Sequence, residues 1–122
     1  MSLAVALVLA TAPVGAPDQG SEIVVIARKL KAWRGNLRQV DGELACRTRK
    51  STGDGAIDAI GCDAMLACYA PLRPQLDAIA ASDLRGAEKR RRMDAAAQSA
   101  LPCLEAYHDS AIERLAAQRA PQ

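Results

Sequence analysis

The residues best able to do chemistry in this 122-residue chain are four cysteines, Cys46, Cys62, Cys68 and Cys103. Their spacing, C-x15-C-x5-C-x34-C, contains no C-x-x-C pair, so a thioredoxin-like redox centre lacks its motif. A zinc site normally draws on closely spaced ligand pairs, and the single histidine, His108, cannot complete a Cys2His2 set. An even cysteine count behind a signal-like leader instead predicts two structural disulfides formed in an oxidising compartment.

The remaining polar residues offer less. His108 could act as a general base only beside a nucleophile or a carboxylate. Its helix neighbours Glu105 and Asp109 make no triad, and its place on an apolar stripe reads as packing. Asp54, Asp58 and Asp63 are spaced like a solvated helix face rather than a paired acid and base. The segment STGDG at 51–55 has the small residues of a phosphate-cradling loop but not the G-x-x-x-x-G-K-[ST] of a P-loop. It reads as a strand-to-helix turn closed by an N-cap. No metal or cofactor is expected, and the chain reads as non-enzymatic.

Charge is distributed unevenly. Residues 28–50 carry eight Lys or Arg against two acids, whereas residues 51–83 carry one Arg and five Asp, so a net charge of +2 conceals a strong polarity. A basic face holding Arg34, Arg38, Arg47 and Arg49 is the candidate anion-binding site, suited to lipid headgroups, lipopolysaccharide or a nucleic acid. The competing reading is a solvated face neutralised by the Asp-rich helix that follows. A second basic run, Lys89 to Arg92, lacks the aromatic residues that would stack bases and reads as helix surface.

The elements that must hold these residues can be traced along the chain. Residues 22–27 (EIVVIA) are rich in β-branched side chains and predict a short strand. Asp41-Gly42 between two extended runs predicts a type I′ hairpin with paired residue numbers summing to 83. In that register Leu37, Gln39, Leu44, Cys46, Thr48 and Trp33 share the core face. Arg34, Asn36, Arg38, Arg47 and Arg49 share the other, with Arg34 opposite Arg49. Asp54 predicts the N-cap of a helix over 55–69. Ile57, Ile60, Gly61, Ala64 and Cys68 cluster on one side of it, and Cys62, Leu66 and Tyr69 lie well around the cylinder.

Such a helix should be sandwiched between two partners. Cys62 and Cys68 point in different directions on it, so each must seek an outer cysteine. Pairing Cys46–Cys62 with Cys68–Cys103 is preferred to Cys46–Cys68 with Cys62–Cys103, because it closes the more compact loop. Pro71 and Pro74 open a second helix to about Ala81, Ser82-Asp83 begins a third that Pro102 breaks or kinks, and a last helix shows Leu101, Leu104, His108, Ala111, Ile112 and Leu115 in one stripe.

The ends and composition bound the rest. Met1 to Ala16 carry no charge, and Leu3 to Ala12 form an apolar run of signal-peptide length, too short to span a bilayer. Residues 1–16 are therefore expected to be a signal peptide. Residues 17–122 are expected to form a single small domain with no transmembrane segment. Its core must be thin: alanine supplies 26 residues, phenylalanine is absent, and Trp33, Tyr69 and Tyr107 are the only aromatics.

Residues Glu22, Ile23, Val24, Val25 and Ala27 resemble the segment that follows the signal peptide in TonB-dependent outer-membrane receptors. That resemblance implies at most a strand that could add to an envelope partner, since the chain is too short for a plug and barrel. As a whole the chain resembles small four-cysteine exported proteins of alphaproteobacteria, which implies no activity. The expectation is an α+β, mostly α, fold in which a short strand and a hairpin pack on three or four helices. Its expected role is a periplasmic or secreted interaction module for an anionic envelope surface or an envelope protein. The alternative is a small periplasmic enzyme, a hydrolase or a thiol-redox protein built on His108 or a free thiol.

Overall fold

The structure, a computed structural model, describes residues 19–121. The expected signal peptide at 1–16 lies outside the described residues. In chain order the elements are α1 (Gln19–Ala32), β1 (Arg34–Val40), β2 (Glu43–Lys50), α2 (Gly55–Tyr69), a 3-10 turn (Ala70–Leu72), α3 (Arg73–Ala81), α4 (Gly86–Ser99) and α5 (Leu101–Arg119). The fold is mostly helical α+β, with two disulfides, Cys46–Cys62 and Cys68–Cys103.

Residues 22–27 are helical, not a strand, which corrects the reading of their β-branched content. Ile23, Ile26, Ala27 and Leu30 fall on one stripe of α1. Ile26 and Leu30 are buried against α2 and α5, and that burial outweighs a local preference for extended backbone. Those residues thus present no extended segment for strand addition. Val24 and Val25 lie on the outer side of α1 and are exposed.

The core joins α1, α2 and α5 through Ile26, Leu30, Ile57, Ile60, Ala111, Ile112 and Ala116. The hairpin β1–β2 packs on another side of α2, so this helix is sandwiched as its two apolar sides require. Its buried residues are Ile57, Ile60, Gly61, Ala64 and Cys68. The indole of Trp33 fills the space between hairpin and helix. It lies against Gly35 and Gly61, and its Nε1 donates to Thr48 Oγ1 at 3.0 Å. The run Gly55–Ala81 has the length and apolar composition of a membrane-crossing helix. Its first part is α2, whose apolar residues cover the core.

Asp41 and Gly42 both take positive φ, 51° and 80°, as a type I′ turn demands. The expected register holds from Val40↔Glu43 to Gly35↔Thr48. A bulge between Arg34 and Gly35 then sets Arg34 opposite Lys50, not Arg49 as the sequence suggested.

Helices α3 and α4 form an arm that begins just after Cys68 and ends just before Cys103. No residue of α3 is buried and only Ala96 of α4 is, because the two helices pack chiefly on each other. Ser82 does not start α4. Its hydroxyl donates to the Ile79 carbonyl at 2.6 Å and ends α3, and an extended link reaches Gly86. Pro102 sits in the first turn of α5, where a missing N–H costs nothing.

Candidate anion-binding face

The hairpin has two faces of opposite chemistry. Cys46, Leu37 and Leu44 turn toward α2, so alternate residues must point away from the body of the protein. Asn36, Arg38, Arg47 and Arg49 occupy that outer face and, with Thr48, line a shallow concavity of about 430 Å³. Arg47 stands directly across from Asn36. Arg38 and Arg49 each lie one pleat repeat from that pair, so three guanidiniums share one short stretch of sheet.

Three of the four arginines expected at the site are brought together. Arg34 is not. Its Nη1 donates to the carbonyls of Lys31 and Trp33, each at 2.7 Å, and so satisfies acceptors left open at the C-terminal end of α1. The bulge that moves it out of register is what allows this reach.

The Asp-rich segment does not neutralise the face. Asp54 Oδ1 accepts from the amides of Ala56 and Ile57, capping α2, while both its oxygens pair with Arg119 at 2.8 and 2.9 Å. The Arg119 guanidinium holds the Asp54 carboxyl below the usual carboxylate range, helped by those amides and opposed by partial burial. Asp58 accepts from the Ser51 hydroxyl, and from the amide and hydroxyl of Thr52 at 2.8 and 2.7 Å. These bonds lower its pKa, with Ser51 the largest cause. STGDG is therefore a turn that the following helix ties down, not a phosphate cradle. Asp63 faces the cleft between α2 and α5, which Arg114 also lines. Asp77 lies 3.8 Å from Arg73 and accepts from Gln39 at 3.3 Å. Among the described residues, the side chains of Arg38, Arg47 and Arg49 have no hydrogen-bond or ion-pair partner.

One residue of the concavity holds a buried polar atom that is unsatisfied. Asn36 Oδ1 is out of solvent and accepts no hydrogen bond, a condition that costs roughly 1–3 kcal/mol. Asn36 is one of the residues that line the arginine concavity, so the unmet acceptor belongs to a neighbour of the unmet cations.

The other candidates are less complete. His108 borders a cleft of about 300 Å³ between α1 and α5, with an apolar floor of Ala27, Leu30 and Ile112 and a rim of Lys31, Glu105 and Asp109. Burial pushes its pKa down, opposed by the Asp109 charge. Among the described residues, no serine, threonine or cysteine lines that cleft to serve as nucleophile. All four cysteines are bridged, with Cα–Cα distances of 5.5 and 5.7 Å, so no free thiol remains. Two such bridges fit an oxidising, extracytoplasmic compartment. Among the described residues, no three His, Cys, Asp or Glu side chains are grouped to hold a metal ion.

In the basic run of α4, Arg91 and Arg92 both pair with Glu88, at 2.6 and 3.4 Å, and Lys89 Nζ donates to the Ala80 carbonyl at 3.1 Å. Much of that charge is engaged within the arm. Comparison with protein-family models, curated proteins and solved structures finds no match to this chain.

Proposed function

We propose that the chain is an exported, non-catalytic binding module of the periplasm or cell surface, which docks on an anionic envelope component through the outer face of its β-hairpin. The observation that carries this reading is the contrast between partners and no partners. Asp54, Asp58 and Asp77 are engaged elsewhere, while Arg38, Arg47 and Arg49 share one concavity that no acidic side chain lines among the described residues. Adjacent guanidiniums repel, and an external anion relieves that repulsion. The apolar run Leu3–Ala12 and the two disulfides support export.

The test is co-sedimentation of the disulfide-bonded protein with anionic and with zwitterionic vesicles. Binding is expected only to the anionic ones and should fall steeply between roughly 50 and 500 mM salt, as the Debye length shortens. Replacing Arg38, Arg47 and Arg49 together with Gln should abolish it. Equal retention by the triple variant and the unaltered protein would overturn the reading.

A further inference from the structure

We infer that the hairpin concavity is a site for a phosphate monoester, bound by Arg38, Arg47 and Arg49 with Asn36 accepting a hydrogen bond from the ligand. The inference rests on the anionic-docking reading and narrows it from a charged surface to one functional group. Diffuse attraction to a negative membrane needs only net charge and no particular arrangement. The hairpin offers more than that.

Three unpaired guanidiniums border one concavity of about 430 Å³, in the size range of small-molecule sites. Each can donate two parallel hydrogen bonds to oxygens of one phosphate. A phosphate diester has two terminal oxygens and a single charge. A monoester has three terminal oxygens: singly protonated, it keeps two acceptors for the guanidiniums and adds an O–H that a diester lacks.

The second observation concerns hydrogen rather than charge. Asn36 Oδ1 is a buried acceptor with no donor. Its terminal torsion is broad, so a small rotation turns the acceptor onto a ligand in the concavity it lines. An arginine cluster alone satisfies any oxyanion. An acceptor among the arginines favours one that also carries a hydrogen, such as the P–OH of a singly protonated phosphate monoester. Sulfate has the larger charge and as many oxygens but no hydrogen to give, so charge alone would favour sulfate.

Two sources could present this group, a lipid headgroup and a soluble sugar or glycerol phosphate. Calorimetric titrations at about pH 6, where a phosphate monoester keeps its second proton in about half of its molecules and inorganic phosphate in most, use inorganic phosphate, glycerol 3-phosphate and sulfate. Vesicle binding uses phosphatidic acid against phosphatidylglycerol at matched surface charge. Phosphate and glycerol 3-phosphate should bind roughly tenfold more tightly than sulfate, the loss expected when one buried acceptor goes unmet. Asn36→Ala should erase that preference while binding to phosphate persists, and melting temperature reports whether the variant is folded.

Tighter binding to phosphatidic acid than to phosphatidylglycerol supports the site with a lipid source. Binding of glycerol 3-phosphate without a phosphatidic acid preference supports it with a soluble source. Equal binding of phosphate and sulfate, together with vesicle binding set by charge alone, overturns the site and leaves the docking surface standing. No binding to any anion overturns both. The comparison of phosphate with sulfate uses the unaltered protein, so its outcome does not depend on any variant folding.

Discussion

The indole of Trp33 lies so close to Gly61 that a Cβ at position 61 would stand 2.5 Å from Trp33 Cδ2. Gly35 meets the same ring, where a methyl group would come within 2.4 Å of Cη2, so the indole is confined between a strand glycine and a helix glycine. Ordinarily a Gly→Ala change inside a helix gains about 0.5–1 kcal/mol. At Gly61 the sign should reverse. The ring cannot retreat without losing its bond to Thr48, and overpacking of this kind costs about 1–3 kcal/mol. Gly61→Ala should lower the urea midpoint and alter Trp33 fluorescence, whereas a raised midpoint would contradict the packing.

Asp54 joins two helix ends. It caps the N-terminus of α2 and pairs in bidentate fashion with Arg119 in the last turn of α5, so each charge also complements its helix dipole. Asp54→Ala should destabilise the protein by about 1–2 kcal/mol through loss of the cap. Arg119→Ala should cost less, because its side chain is about one-third exposed (34%) and water screens the pair. A double-mutant cycle should give a coupling of about 0.5–1 kcal/mol, and strict additivity would show the pair to be energetically idle.

Stability should fall in two steps as the solution is acidified. Burial lowers the pKa of His108, whose surroundings also include Lys31, Glu105 and Asp109. Arg119 lowers Asp54, and Ser51 with Thr52 lowers Asp58. In each case the unfolded chain holds its proton to higher pH than the folded one, so stability rises with pH across the window. The His108 contribution is complete above the ordinary value of 6.5 and is lost as pH falls through the lowered folded value. The two aspartates contribute fully above 3.8 and lose their share below it. Urea midpoints of His108→Gln should lack the upper step and keep the lower, and an upper step that survives this change would assign it elsewhere.

What was legible in the chain was legible for local reasons. Asp41-Gly42 carries its own backbone preference, and the hairpin register follows from it by counting. Asp54 announces its cap, and the six-residue gap between Cys62 and Cys68 keeps them from bonding each other; of the two pairings that this leaves, the structure has the preferred, more compact one, Cys46–Cys62 with Cys68–Cys103. What was not legible depends on distant residues. Ile23 to Ile26 suit either a strand or a helix, and the choice is made by α2 and α5, which lie far along the chain. Arg119 stands 65 residues from Asp54, with no local sign of their pairing. Arg34 leaves the basic face because α1 ends beside it with open carbonyls, and the β-branched content of residues 22–27 conceals that helix end. Gly35 and Gly61 gain their role only once Trp33 is placed between them.

The bridge Cys68–Cys103 closes the base of the α3–α4 arm, and its loss should act unevenly across the molecule. By sequence separation, 35 residues against 16, the chain-entropy argument gives it about 4 kcal/mol and Cys46–Cys62 about 3 kcal/mol. The arm, however, buries only Ala96 within its two helices; it touches α5 through the end of α4 and is otherwise held mainly to the hairpin, by Arg73 on the Gly42 carbonyl and Gln39 on Asp77. Cutting its base should therefore free the arm first, while α1, α2 and α5 keep their shared packing. Replacing Cys68 and Cys103 with Ala should raise amide exchange in α3 and α4 well before it does so in α2, and should open a protease site between Ala81 and Gly86. Replacing Cys46 and Cys62 should instead loosen the hairpin from α2 and expose Trp33. Uniform loss of protection in the first variant would mean that the arm and the core unfold as one unit.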